Sequence, residues 1–305
     1  KQSGKKETIY YVTAKGSGFS KTRAIRIFKP NKLTSFIFKS KSGHQIQTYI
    51  FVPKTLSPKT RLLFVMHGMK RRPEKYIATW ERWARKNDYI LVGPKFDEKK
   101  WVRARSYNFG NVFTGNEGRG KVNPRVRWSY EIVEEIYRRI RSGFALENPG
   151  FDIYGHSAGA QFIHRFTLFV PNSQVRIAIS ANSGWYTLPN LEEKFPYGLK
   201  HPKFKIAEQD VFEWSRKRLV ILRGTYDLKR SAQVRKTKKA DEQGRNRFAR
   251  AGYMFDQMKS RHPETNWQLV DVPRVAHIQR KMAAAAQKYL EVVNSSSNQR
   301  GGSND

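Results

Sequence analysis

The pentapeptide Gly155-His156-Ser157-Ala158-Gly159 constrains the fold of this chain more than any other stretch. It fits the pattern G-x-S-x-G, and its flanks give the pattern meaning. The short run Phe151-Asp152-Ile153-Tyr154 before it reads as a strand, and residues 157–169 carry apolar side chains at helical spacing. A strand that turns straight into a helix leaves the serine on a very tight turn. Side chains two residues before and after it would collide, hence the glycines. The hydroxyl then stands at a helix N-terminus, where the dipole and unpaired N–H groups favour a developing negative charge. The competing reading is a plain turn with Ser157 as an N-cap.

The rest of the chain supplies the context. Short β-type runs at residues 9–12, 23–28, 35–38 and 47–52 predict an antiparallel opening portion. Leu62-Leu63-Phe64-Val65-Met66 is continuously apolar, as expected of a strand buried on both faces. Helices are predicted over 73–86, 126–140, 157–169, 245–259 and 277–293. Strands are predicted over 89–92, 151–154, 175–180, 218–223 and 267–272. Such alternation implies an α/β fold with a mostly parallel central sheet and helices on both faces. The length of 305 residues suits one domain over 8–293, with a flexible N-terminus at 1–7 and a disordered Ser/Asn/Gly tail at 294–305.

A serine hydroxyl needs a base, and the base needs a carboxylate to set its tautomer. In this setting the order is serine, acid, histidine, each after its own strand. Asp227 follows the strand at 218–223 through Gly224-Thr225-Tyr226, and His277 follows the strand at 267–272. Rivals are weaker. His156 lies inside the turn and is expected to point elsewhere, and His164 sits two turns along the helix. His201 and His262 lie in polar, proline-flanked stretches, and His44 precedes the serine in an early loop. Asp271 lies within a strand, and Asp210 has none directly before it. An oxyanion needs two backbone N–H donors. Ala158 supplies one, and His67-Gly68-Met69, directly after the 62–66 strand, supplies Met69 as the second; His67 itself reads as structural.

These pieces, with "FVMHGM", "YNFGNVF", "YGHSAGAQF", "ANSGWYTLP", "ILRGTYD" and "VPRVAH", resemble the α/β-hydrolase superfamily. Within it they resemble the branch of poly(3-hydroxybutyrate) depolymerase-like and feruloyl-esterase-like secreted hydrolases. The resemblance spans roughly residues 47–290. It implies the α/β-hydrolase fold and hydrolysis of carboxylic esters, among them aryl, feruloyl or polyester substrates, through an acyl-enzyme. It implies Ser157, Asp227 and His277 as the triad, no metal or organic cofactor, and a periplasmic or extracellular enzyme. The segments 101–113, with Tyr107, Asn108 and Asn111, and 182–186, with Trp185, are expected to border the acyl pocket or else to pack the core. An amide- or peptide-bond hydrolase uses the same triad and stays open. So does an idle hydrolase fold that binds polyanions.

That last alternative rests on charge. The chain carries 59 Lys and Arg against 25 Asp and Glu, a formal net charge of +34. Such a surface attracts polyanions without reading nucleic-acid sequence. The run Lys229, Arg230, Arg235, Lys236, Lys238, Lys239, Arg245, Arg247 and Arg250 reads either as a dock for an acidic surface or as a solvated loop. The absence of cysteine excludes disulfides, thiolate zinc sites and a cysteine nucleophile. No apolar run reaches the roughly 20 residues of a membrane helix. Residues 115–121 imitate a phosphate loop, but Val122 stands where a metal-binding Ser or Thr is required.

Overall fold

The computed structural model describes residues 9–16, 19–26 and 29–300, with side chains from 29 to 296. The expected flexible stretch 1–7 and residues 301–305 lie outside the described residues. A hairpin of β1 (Ile9–Gly16) and β2 (Phe19–Arg26) forms its own two-stranded sheet.

The main sheet has eight strands. They are β3 (Leu33–Lys39), β4 (Gln45–Phe51), β5 (Arg61–Met66), β6 (Tyr89–Pro94), β7 (Phe151–His156), β8 (Val175–Ala181), β9 (Leu219–Gly224) and β10 (Gln268–Val272). Their spatial order is β10-β9-β8-β7-β5-β6-β4-β3. The six strands from β10 to β6 are parallel, and β4 and β3 join antiparallel at the other edge. The expected α/β class and antiparallel opening portion are therefore present.

Alternate side chains of the central strands feed two cores, as pleating requires. Leu62, Phe64 and Met66 face one side with α4 (Ser129–Gly143), α5 (Ala158–Phe169), α6 (Glu208–Arg216) and α8 (Arg247–Arg261). Leu63 and Val65 face the other with α1 (Pro73–Ala78), α2 (Glu81–Asn87) and α9 (Gln279–Arg300). Two short helices complete the chain, α3 (Arg103–Ser106) and α7 (Lys238–Glu242). Each wholly buried Leu, Ile or Phe contributes on the order of 1.5–3 kcal/mol, so the doubly covered strands anchor the fold.

Besides the short α3 and α7, which were not expected, the elements depart from the sequence reading at α1–α2, α6 and α9. The helix expected over 73–86 is two, because Thr79 N–H and Trp80 N–H bond to Tyr76 O and Ile77 O in tightened turns. Helix α6 was not expected; only Val211, Trp214 and Ser215 of it are buried. The last helix does not stop at 293 but runs to Arg300 through part of the tail expected to be disordered. Asn294 is docked there: Arg176 donates to its Oδ1 at 3.0 Å and its Nδ2 donates to the Tyr89 hydroxyl at 3.0 Å. Among the described residues no helix is long and apolar enough to cross a membrane.

Candidate active site

Close backbone packing produces the turn between β7 and α5. A Cβ on Gly155 would lie 2.5 Å from the Gly159 carbonyl carbon, and one on Gly159 would lie 2.5 Å from Met66 O. Only glycine fits at either place. Ser157, pinched between them, has φ 60° and ψ −112°, a strained conformation for a residue with a side chain. Its N–H bonds to Ala181 O at 3.0 Å, which ties the turn to the end of β8. Ala158 opens α5, so its N–H has no partner within the helix.

The expected acid and base meet. Asp227 Oδ2 accepts from His277 Nδ1 at 2.7 Å, and the aspartate is buried while the imidazole is partly open. The two loops that carry them touch as closely as the elbow does. A Cβ on Gly224 would lie 2.3 Å from Val275 O. Asn182 locks the pair: its Oδ1 accepts from Gly224 N–H at 2.8 Å, and its Nδ2 donates to Ala276 O at 3.2 Å.

Two neighbours escaped the sequence reading. His156 does not point elsewhere. Its buried ring packs on His277 with centroids 4.3 Å apart, so the residue next to Ser157 touches the imidazole bonded to Asp227. Both ring nitrogens of His156 lack a hydrogen-bond partner. Burial, then the facing His277 and Arg247, hold it well below the usual histidine range, so it is a neutral ring. Arg247, assigned above to a basic surface run, instead lies inside. Its NH1 donates to Asp227 Oδ1 at 3.3 Å, and both side chains are buried. The aspartate therefore has one oxygen on His277 and the other on a guanidinium.

The rivals are occupied elsewhere. Asp271 pairs with Arg223 at 2.6 Å, and Asp210 accepts from Ala207 N–H at the start of α6. His164 is buried, with Nε2 accepting from Thr187 N–H at 3.2 Å. His201 bonds to Gly118 O, and His262 lies 3.3 Å from Glu208. His67 is structural, as expected. Its Nδ1 bonds to Gly68 O and its Nε2 accepts from Phe96 N–H at 3.2 Å, joining the ends of β5 and β6. Burial, then the Arg71 cation beside it, push it down to about 3.

Met69 lies in the turn after β5 and is 58% exposed. Gly68 beside it is near the elbow, since a Cβ there would lie 3.8 Å from His156 O. Arg71 pins this loop: it donates to Phe96 O at 3.0 Å and Arg103 O at 2.9 Å and stacks 4.4 Å over Tyr107. Tyr107 is wholly buried, donating to His67 O at 2.7 Å, so it props the loop and lines no opening. Trp185 is buried too, with the guanidinium groups of Arg165 and Arg235 at 4.5 and 4.9 Å from its ring. Asn111 is partly open and lines a cavity of about 310 Å³ that contains none of Ser157, Asp227 and His277.

Of the expected basic run only Arg247 and Arg250 are buried, paired with Asp227 and Asp241. Half-buried Arg235 pairs with Glu117, and the exposed Arg230 and Lys239 pair with Asp241 and Glu193 at the surface. The imitation phosphate loop holds a single 3-10 turn at Asn116–Gly118, and no helix starts at Lys121.

No family model and no curated protein sequence matches the chain. Solved structures do. Poly(aspartic acid) hydrolase-1 from Sphingomonas sp. KT-1 is 32% identical, with a TM-score of 0.81 over 86% of this chain and 98% of that one. The poly(3-hydroxybutyrate) depolymerase LpqC from Bordetella parapertussis is 26% identical, with a TM-score of 0.78 over 84% and 88%. The fluorophosphonate-binding serine hydrolase FphF from Staphylococcus aureus shares the fold at 16% identity and a TM-score of 0.54, over 86% and 98%. The chain belongs to the α/β-hydrolase superfamily, in its poly(3-hydroxybutyrate) depolymerase-like branch of serine hydrolases.

Proposed function

We propose that the chain is a serine acyl hydrolase with Ser157 as nucleophile, His277 as general base and acid, and Asp227 as the carboxylate that orients the imidazole. The observation that carries this reading is the bond from His277 Nδ1 to buried Asp227 Oδ2 at 2.7 Å, beside a strained serine elbow. His277 Nε2 takes the Ser157 proton as Oγ attacks the carbonyl carbon. The oxyanion is held by the N–H groups of Ala158 and Met69, each donor worth on the order of 10²–10³ in rate. His277 then returns the proton to the leaving alcohol or amine as the C–O or C–N bond breaks. Water, deprotonated by the same imidazole, releases the acid.

The first reading is hydrolysis of simple carboxylic esters, which asks for nothing beyond this triad and an oxyanion hole. A second reading, hydrolysis of amide bonds in an anionic polymer, is favoured by two facts. The chain carries +34, and the 32%-identical neighbour is a hydrolase of poly(aspartic acid). A positively charged surface gathers such a substrate. The test is turnover of an acetyl aryl ester, poly(3-hydroxybutyrate) and poly(aspartic acid) by the wild type and Ser157→Ala. The reading requires the ester and at least one polymer to be cut, and all cutting to vanish in the variant. Undiminished ester turnover in folded Ser157→Ala overturns it.

A further inference from the structure

The loop between β3 and β4 and the excursion after β6 border the 310 Å³ cavity, whose lining includes His44, Lys100, Arg105, Ser106, Asn111 and Arg127. Three cations face it and no carboxylate does. Among the described residues, none of Lys100, Arg105 and Arg127 pairs with a carboxylate, unlike Arg230, Arg235, Lys239, Arg247 and Arg250 of the 229–250 run. Burial, then the Arg127 and Lys100 charges, hold His44 below its ordinary range, so it adds no charge to the three cations. The walls are fixed. Asn123 Nδ2 donates to Asn111 O and Asn111 Nδ2 to Arg127 O, while His44 packs 4.9 Å from Trp101.

Topology places this cavity on the rim of the sheet that carries Ser157. Residues 100–106 follow the C-terminal end of β6, which is parallel to β7 through β5. His44 precedes β4, whose start lies against the end of β6 because the two are antiparallel. The cavity thus sits two to three strands from the elbow, about 10–14 Å along the rim. An extended chain covers that span in roughly three or four residues at about 3.5 Å each.

We propose that this cavity is a distal subsite for a carboxylate borne by the polymer, three to four units from the bond cut at Ser157. The proposal rests on the anionic-polymer reading above. Lys100 and Arg127 hold the carboxylate by charge, and Asn111 and Ser106 offer it neutral donors. The subsite fixes the register of the chain across the rim.

The test compares wild type with Lys100→Gln/Arg127→Gln, which touches two side chains exposed at the cavity mouth. A matched control, Lys259→Gln/Lys288→Gln, removes the same charge from the surfaces of α8 and α9. The readout is the ratio of kcat/KM on poly(aspartic acid) to kcat/KM on a neutral acetyl aryl ester. The cavity variant is expected to lower this ratio about tenfold through KM, and the control to change it less than twofold. Equal ratios in the two variants mean that the net charge alone acts, and overturn the subsite. Calorimetric titration of Ser157→Ala with hexa-aspartate separates this from failure of the underlying reading. Should the wild type leave the polymer uncut, the anionic-polymer reading falls, and the cavity is judged by binding. A Kd weakened about tenfold only by the cavity substitutions supports it; no binding, or a Kd indifferent to them, overturns it.

Discussion

Replacing Arg247 by methionine keeps much of its volume and removes a charge from the far side of the Asp227 carboxylate. In the wild type, Asp227 divides its charge between His277 at 2.7 Å and Arg247 at 3.3 Å. Taken across the carboxylate, the guanidinium stands roughly 6–7 Å from the imidazole. At an effective dielectric of about 20 two like charges at that separation repel by about 2.5 kcal/mol, the most the arginine can oppose imidazolium formation. The partial exposure of His277 screens this, so about 1 kcal/mol is the working figure. Without Arg247, the imidazolium that forms in the transition state faces an uncompensated carboxylate and is stabilised. In Arg247→Met, kcat/KM on a neutral ester therefore rises by about fivefold. Arg247→Lys keeps it near the wild-type value. Stability falls, by about 3–5 kcal/mol, since a buried ion pair loses one partner. The assay is ester turnover at a fixed pH, with circular dichroism to confirm folding. A folded methionine variant with an unchanged or lowered kcat/KM refutes the reasoning.

Other predictions concern the scaffold. Gly155→Ala forces a Cβ to within 2.5 Å of the Gly159 carbonyl carbon; a loss of about 3 kcal/mol or more is expected, read as a drop in melting temperature. Asn182→Ala unties the acid and base loops, leaving Gly224 N–H and Ala276 O without their partner. It should lower kcat with little change in KM and cost about 1–3 kcal/mol. Because the folded state holds His67 near 3, it binds fewer protons than the unfolded chain between pH 6.5 and 3. Stability is therefore full above pH 6.5 and is lost as pH falls, by about 3 kcal/mol at pH 4.5 from this ring. Buried His156 and His164 act in the same direction. Urea midpoints at pH 7 and 4.5 measure it, and equal midpoints contradict it.

What the chain revealed in advance was what local physics dictates. The glycines at 155 and 159 announce a turn that no other residue fits. Leu62 to Met66 reads as a doubly covered strand because both faces are apolar. The meeting of Asp227 with His277 follows from two adjacent parallel strands that end at the same rim. What stayed hidden depends on meetings between distant segments. Arg247 looks like one more basic residue in a polar stretch, and only folding of α8 against the β9 loop turns it onto Asp227. The tilted contact of His156 with His277 joins the positive-φ turn at Ser157 to the β10–α9 loop, neither of which has a sequence period. Tyr107 and Trp185 show why aromatic loops mislead: both are core packing, while neighbouring Asn111 lines a cavity.

The most direct measurement is intact mass after exposure to a fluorophosphonate, followed by peptide mapping. Activation of Ser157 by His277 predicts one adduct per chain, on the peptide holding residue 157, and its loss in both Ser157→Ala and His277→Ala. No adduct on the folded wild type, or one undiminished when His277 is removed, contradicts the account.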